Sequence, residues 1–113
     1  MMTKDKAELM SLEYRQEVAE TILQQLGGNK FRVMTGAKNF MSHNDPGLSF
    51  RIPNRASGMP NYVKIRLNSL DYYDVEFGRV RGVDYRITSE HDNVPVENLV
   101  ELFERQTGLY TRL

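Results

Sequence analysis

Few residues in this chain have the type and spacing that chemistry needs. There is no cysteine, which excludes disulfides, thiolate metal sites and a cysteine nucleophile. The two histidines, His43 and His91, lack the paired spacing of a metal-ligand set. His91 stands between Glu90 and Asp92, but an acid/base role there needs a nucleophile or substrate that no motif supplies. Both histidines fall in segments read as loops, where a solvated imidazole is the simpler state. Thr35-Gly36-Ala37-Lys38-Asn39 has the glycine, lysine and small polar residue of a phosphate loop. It lacks the leading glycine and the Gly-Lys-Ser/Thr ending, and a turn at a strand end accounts for it equally. No catalytic residue, cofactor or metal is expected, and the chain is read as not an enzyme.

What remains is charge. The chain carries 15 basic and 15 acidic residues, unevenly spread. Between Lys30 and Thr88 ten cations face five acids, Asp45, Asp71, Asp74, Glu76 and Asp84. Such a dipole steers anionic partners. The candidate nucleic-acid-binding residues are Lys30, Arg32, Lys38, Arg51, Arg55, Arg79 and Arg81, with Phe40, Tyr62 and Tyr72 nearby to stack on bases. Lys64, Arg66 and Arg86 are set aside, because the register given below places Asp74 or Glu76 opposite them in pairs worth ~0.2–1 kcal/mol each. The plainer reading of the whole set is a solvated strand face, and zero net charge lacks the strongly basic balance of dedicated binders. Phe40, Met41, Met59 and Tyr110 fall outside the strand alternation and form either a partner surface or a cover for the sheet's second face.

These residues are positioned by an α+β fold, a five-stranded mostly antiparallel meander flanked by an N-terminal and a C-terminal helix. Met10, Tyr14, Val18, Ile22 and Leu26 recur every fourth position, with Ala19 and Leu23 alongside, which predicts an amphipathic helix ending at Gly27-Gly28. Thr3 or Ser11 is its expected cap, and residues 1–10 are expected to fray. Period-two alternation then predicts strands around Phe31/Val33, Leu48/Phe50/Ile52, Val63/Ile65/Leu67, Tyr73/Val75/Phe77 and Val83/Tyr85/Ile87. Segments 35–47 and 53–61 read as loops. Pairing Leu67 with Tyr73 aligns Ile65 with Val75, Val63 with Phe77, Arg66 with Asp74 and Lys64 with Glu76. Pairing Arg79 with Val83 across a three-residue turn sets Phe77 against Tyr85 and Glu76 against Arg86. Asn93-Val94-Pro95 announces the last helix, with Val96, Leu99, Val100, Leu102 and Phe103 on its apolar face and Gly108 at its end.

A chain of 113 residues, 40% of them hydrophobic, suits one domain spanning 1–113. No stretch has the length of a membrane helix or the pattern of a signal peptide, so the expected setting is cytoplasmic, with no membrane partner. An unpaired strand edge or helix face makes a homodimer an open option.

The wording Gln25-Leu26-Gly27-Gly28-Asn29-Lys30-Phe31, Met34-Thr35-Gly36-Ala37-Lys38-Asn39-Phe40, Phe77-Gly78-Arg79-Val80-Arg81-Gly82 and Thr107-Gly108-Leu109-Tyr110-Thr111 resembles a family of small uncharacterised proteins from bacteriophages and bacterial mobile elements. The likeness runs from about Ile22 to the carboxyl terminus. It implies a phage or mobile-element setting in a bacterial host, and carries over no activity and no catalytic residue. The expected function is a non-enzymatic accessory binding module that contacts nucleic acid through a basic sheet face. The alternative is an inhibitor or adaptor that binds a host protein.

Overall fold

A computed structural model describes the backbone of residues 4–112 and the side chains of residues 12–112. The element order is α1 (Lys4–Leu26), α2 (Gly28–Thr35), β1 (Lys38–His43), β2 (Gly47–Arg51), β3 (Tyr62–Leu67), β4 (Tyr73–Arg81), β5 (Asp84–Val94) and α3 (Val96–Thr107). The five strands form one antiparallel sheet in the order β1-β2-β3-β4-β5, so the fold is the expected α+β meander between terminal helices. No described helix is long and apolar enough to cross a membrane.

One strand is not where alternation put it. Residues 28–35 form helix α2, although Phe31 and Val33 suggest a strand. Val33 is 74% exposed while Phe31 is fully buried, and the buried set Gly28, Phe31 and Thr35 follows helical spacing. A run of five residues is too short for period two to exclude a helix, and packing decides it. The Phe31 ring meets Phe50 of β2 edge-on at 5.4 Å and Phe103 of α3 at 5.1 Å. Thr35 Oγ1 donates to the Phe31 carbonyl at 2.7 Å, and the Gly36 N–H closes the helix on the Arg32 carbonyl at 2.9 Å. The fifth strand is instead β1, from a segment read as a loop. It is an edge strand with no fully buried residue, which is why alternation does not reveal it.

Val18, Ala19, Ile22 and Leu26 of α1 pack with Phe31, with Leu48, Phe50, Val63, Ile65, Val75 and Phe77 of the sheet, and with Leu99, Leu102 and Phe103 of α3. All three helices thus cover the same face, and the other face is open. The stripe on α1 stops short of Tyr14, which is 51% exposed. Ser11 lies within α1, which is described from Lys4, and so is not at its amino terminus. Thr3 and the Met10 side chain lie outside the described residues. On α3, Val96 is exposed, and Gly108 supplies the left-handed C-cap.

The β3–β4 register is the expected one, from Leu67 opposite Tyr73 to Val63 opposite Phe77. The β4–β5 register is not. Arg81 stands opposite Asp84, so the turn has two residues, Gly82 and Val83, with Gly82 at φ +61 in the first central position. A two-residue turn with positive φ there matches the twist of the sheet better than the three-residue turn expected. With a further register shift between Phe77 and Gly78, Phe77 faces Ser89 and Glu76 faces Glu90. Tyr85 and Ile87 move from the expected core side to the open face.

Candidate functional site

Residues directly opposite in a sheet share a face. Lys38, Arg51, Tyr62, Gly78 and Ile87 stand opposite one another across all five strands, in one row on the open face. Gly78 leaves a gap in that row, and the Tyr85 side chain fills it. A Cβ at position 78 would lie 2.1 Å from the Tyr85 hydroxyl. The Tyr62 and Tyr85 rings meet edge to face at 5.5 Å. The Tyr85 hydroxyl donates to Glu76 Oε2 at 2.6 Å. Burial, and then that carboxylate, push its pKa up, so the phenol stays neutral.

Nearer the β3–β4 turn the open face is a network of paired charge. Arg66 Nη2 donates to Asp74 Oδ2 at 2.6 Å, while Asp74 Oδ1 accepts from Asn68 Nδ2 at 2.9 Å and from the Asn93 N–H at 3.0 Å. Burial pushes the Asp74 carboxyl up, but these three donors outweigh it and hold the carboxyl below its ordinary value. Lys64 lies 3.5 Å from Asp45, so its partner is not Glu76. With Glu76, Glu90 and Asp92 these groups line a polar cleft of about 250 Å³. His43 Nε2 lies 2.7 Å from Ser49 Oγ on the same face. Burial, then the Lys64 charge, lower its pKa, against the opposing pull of Asp45. Neither histidine is a loop residue. His43 ends β1, and His91 sits in β5 with its ring edge-on to Phe77 at 5.9 Å.

The seven candidate cations do not share one sheet face. Lys38 and Arg51 lie in the open row. Lys30 and Arg32 project from α2 in the helical layer, with the Arg32 guanidinium 5.2 Å from the centre of the Phe40 ring. Arg55 is exposed in the 52–61 connection. Arg79 faces the helix side of the sheet, where its Nη1 donates to the Asn54 carbonyl at 3.0 Å and the Met59 carbonyl at 2.6 Å. Arg81 is exposed beside the hairpin turn. Arg86, set aside as a partner of Glu76, instead stands directly opposite Arg79. A two-residue turn at Gly82-Val83 would have found this pairing from the sequence.

The Thr35–Asn39 segment is no phosphate loop. It leaves the carboxyl end of α2 and enters a strand, the reverse polarity of a strand feeding a helix amino terminus. Among the stacking and partner-surface candidates, Tyr72, Met41 and Tyr110 are exposed. Phe40 packs on Phe50 at 5.4 Å, and Met59 is half-buried. A mainly apolar groove of about 350 Å³ runs between α1 and β1, lined by Ala19, Leu23, Phe40, Met41 and Leu48, with Gln16, Glu20 and Ser42 among them. Among the described residues no group of three or more His, Cys, Asp or Glu is placed to hold a metal ion. No protein-family model, no curated protein and no solved structure matches this chain.

Proposed function

We propose that this chain is a non-enzymatic binding module that contacts single-stranded nucleic acid across the open face of its sheet. The observation that carries the reading is the row Lys38, Arg51, Tyr62, Ile87, with Tyr85 over Gly78. Cations beside aromatic rings, Tyr85 exposed and Tyr62 half-buried, on an uncovered sheet are what a backbone-tracking, base-stacking surface requires. The acids Asp74, Glu76 and Glu90 limit the footprint to the Tyr62 end, so the site holds a few nucleotides and not a long duplex. The resemblance to small phage and mobile-element proteins supports an accessory role in the cytoplasm of a bacterial host.

Fluorescence anisotropy with single- and double-stranded oligonucleotides at two salt levels tests it. Single strands bind more tightly, and log affinity falls linearly with log salt. Tyr62→Ala, removing a stacking platform worth ~1–3 kcal/mol per base, weakens binding at least about fivefold. An absence of binding at low salt defeats the proposal.

A second reading, a protein-directed inhibitor or adaptor, is favoured by the apolar groove beside the unpaired edge of β1, where Met41 is 61% exposed. Its test is whether Met41→Glu abolishes a specific complex recovered from host lysate; no complex with the parent protein counts against it.

A further inference from the structure

The β4–β5 hairpin holds three guanidinium groups that no carboxylate among the described residues pairs. Arg79 and Arg86 stand directly opposite each other, and Arg81 follows two residues along β4. Like charges in opposed positions destabilise a sheet. Among the described residues the ion pairs are Lys64–Asp45 and Arg66–Asp74, so none of the three arginines has a carboxylate within ion-pair distance. Asp84, opposite Arg81, is the single acid lining the cleft of about 310 Å³ between this hairpin and the loop carrying Ser57 and Gly58.

The surroundings are those of a receptor for a small anion. Arg79 is half-buried, and its Nη1 is fixed by the Asn54 and Met59 carbonyls, so its remaining donors are aimed before any ligand arrives. Across the cleft, a turn closed by Met59 N–H on the Ala56 carbonyl at 3.1 Å presents Ser57 and Gly58 at its tip. Nothing lies within 4 Å of where a Gly58 Cβ would be, so a ligand has room to approach the backbone.

We infer that this cleft is a phosphate site that takes a dianionic phosphate group, either inorganic phosphate or a terminal phosphomonoester. Three arginines reach the cleft from two strands, and a tetrahedral phosphate offers three terminal oxygens in separate directions where a carboxylate offers two in one plane. Three positive charges and one negative leave an excess of two, which a dianion neutralises. The site takes its three arginines from the helix side of the sheet and meets the open face at Tyr85, which also lines the cleft. It rests on the nucleic-acid reading only for one source, a strand-terminal phosphate.

Backbone amide NMR titrations with sodium phosphate, against sodium chloride at matched ionic strength, test the site directly. The Ser57, Gly58 and Arg86 amides shift saturably in phosphate alone, and Arg86→Gln or Arg81→Gln weakens that binding about tenfold, the loss of one charge-assisted contact. Anisotropy with 5′-phosphorylated and 5′-hydroxyl oligonucleotides separates the sources. A preference of about fivefold or more for the phosphorylated strand, reduced to unity by Arg86→Gln and kept in Arg51→Ala, identifies the terminal phosphate. Saturable phosphate shifts without oligonucleotide binding support this site and remove the reading of the open face. Oligonucleotide binding with no preference and no phosphate-specific shift overturns the site and leaves that reading standing.

Discussion

The two ends of the β3–β4–β5 sheet are built from the same strands and treat charge in opposite ways. Beside the β3–β4 turn, Arg66, Asp74, Asn68 and the Asn93 N–H satisfy one another within 3.0 Å. At the β4–β5 turn, Arg79 faces Arg86. The difference follows from what fixes the register at each end. Val63, Ile65, Tyr73, Val75 and Phe77 are buried, so a one-residue slip there would bring Arg66 and Asp74 into the core. At the hairpin end Tyr85 and Ile87 are 44% and 46% exposed, the core specifies little, and the turn sets the pairing. Where pairing is internally enforced, charges serve the fold. Where it is not, charges that oppose the fold persist, which points to something outside the chain that offsets them.

The largest effect is expected at the paired end. Asp74→Ala leaves an arginine, an amide and a backbone N–H without their shared acceptor, and the cost is ~2–3 kcal/mol in urea denaturation at neutral pH. The pH dependence has a definite sign. The Asp74 carboxyl is held below its ordinary value of 3.8 in the folded state, so the unfolded chain takes up its proton first as pH falls. Its contribution is complete above the unfolded value and is lost as pH drops through the lower folded one. The stability gap between the parent protein and Asp74→Ala therefore stays constant from about pH 5 to 8 and narrows below about pH 4. A gap unchanged at pH 3 would mean that the carboxylate is not what holds this end.

Arg79→Ala comes next. It strips two carbonyls of a cationic donor and relieves a repulsion with Arg86, for a net loss of ~1–2 kcal/mol. The loss is local. Amide exchange accelerates in residues 52–61, which Arg79 ties to the sheet, while the amides of Val63, Val75 and Phe77 keep their protection. Uniform acceleration through the sheet would assign Arg79 to the core and erase the contrast between the two ends.

The same contrast explains what was legible in the sequence. The β3–β4 pairing could be read residue by residue, because hydrophobic alternation and charge complementarity pointed to one register. Residues 28–35 alternated as a strand does, and only the ring contacts of Phe31 with Phe50 and Phe103 make them a helix. Strand β1 was invisible because an edge strand buries little. Of the seven candidate cations, Lys38, Arg51, Arg79 and Arg81 occupy places where two or more charged or aromatic groups converge. Arg86 escapes the sequence pattern because a three-residue turn sets it against Glu76, where the actual two-residue turn sets it against Arg79. Lys30 and Arg32 alternate with apolar residues as a strand does, a local period that tertiary packing overrides.

The smallest effect is the most discriminating. Arg86→Glu puts a carboxylate opposite Arg79 and converts a repulsive cross-strand pair into an attractive one. Because Arg86 is exposed, the gain in sodium chloride is only ~0.5 kcal/mol, which is a rise of about 2–4 °C in Tm for a domain of this size. In phosphate at matched ionic strength the parent protein gains by ligand linkage and the variant does not. The difference in Tm then shrinks or reverses, while Asp74→Ala keeps the same deficit in both salts. If Arg86→Glu is less stable than the parent protein in chloride, the Arg79–Arg86 pair is not repulsive. The two ends of the sheet would then differ in geometry alone, with no unmet charge to attract a ligand.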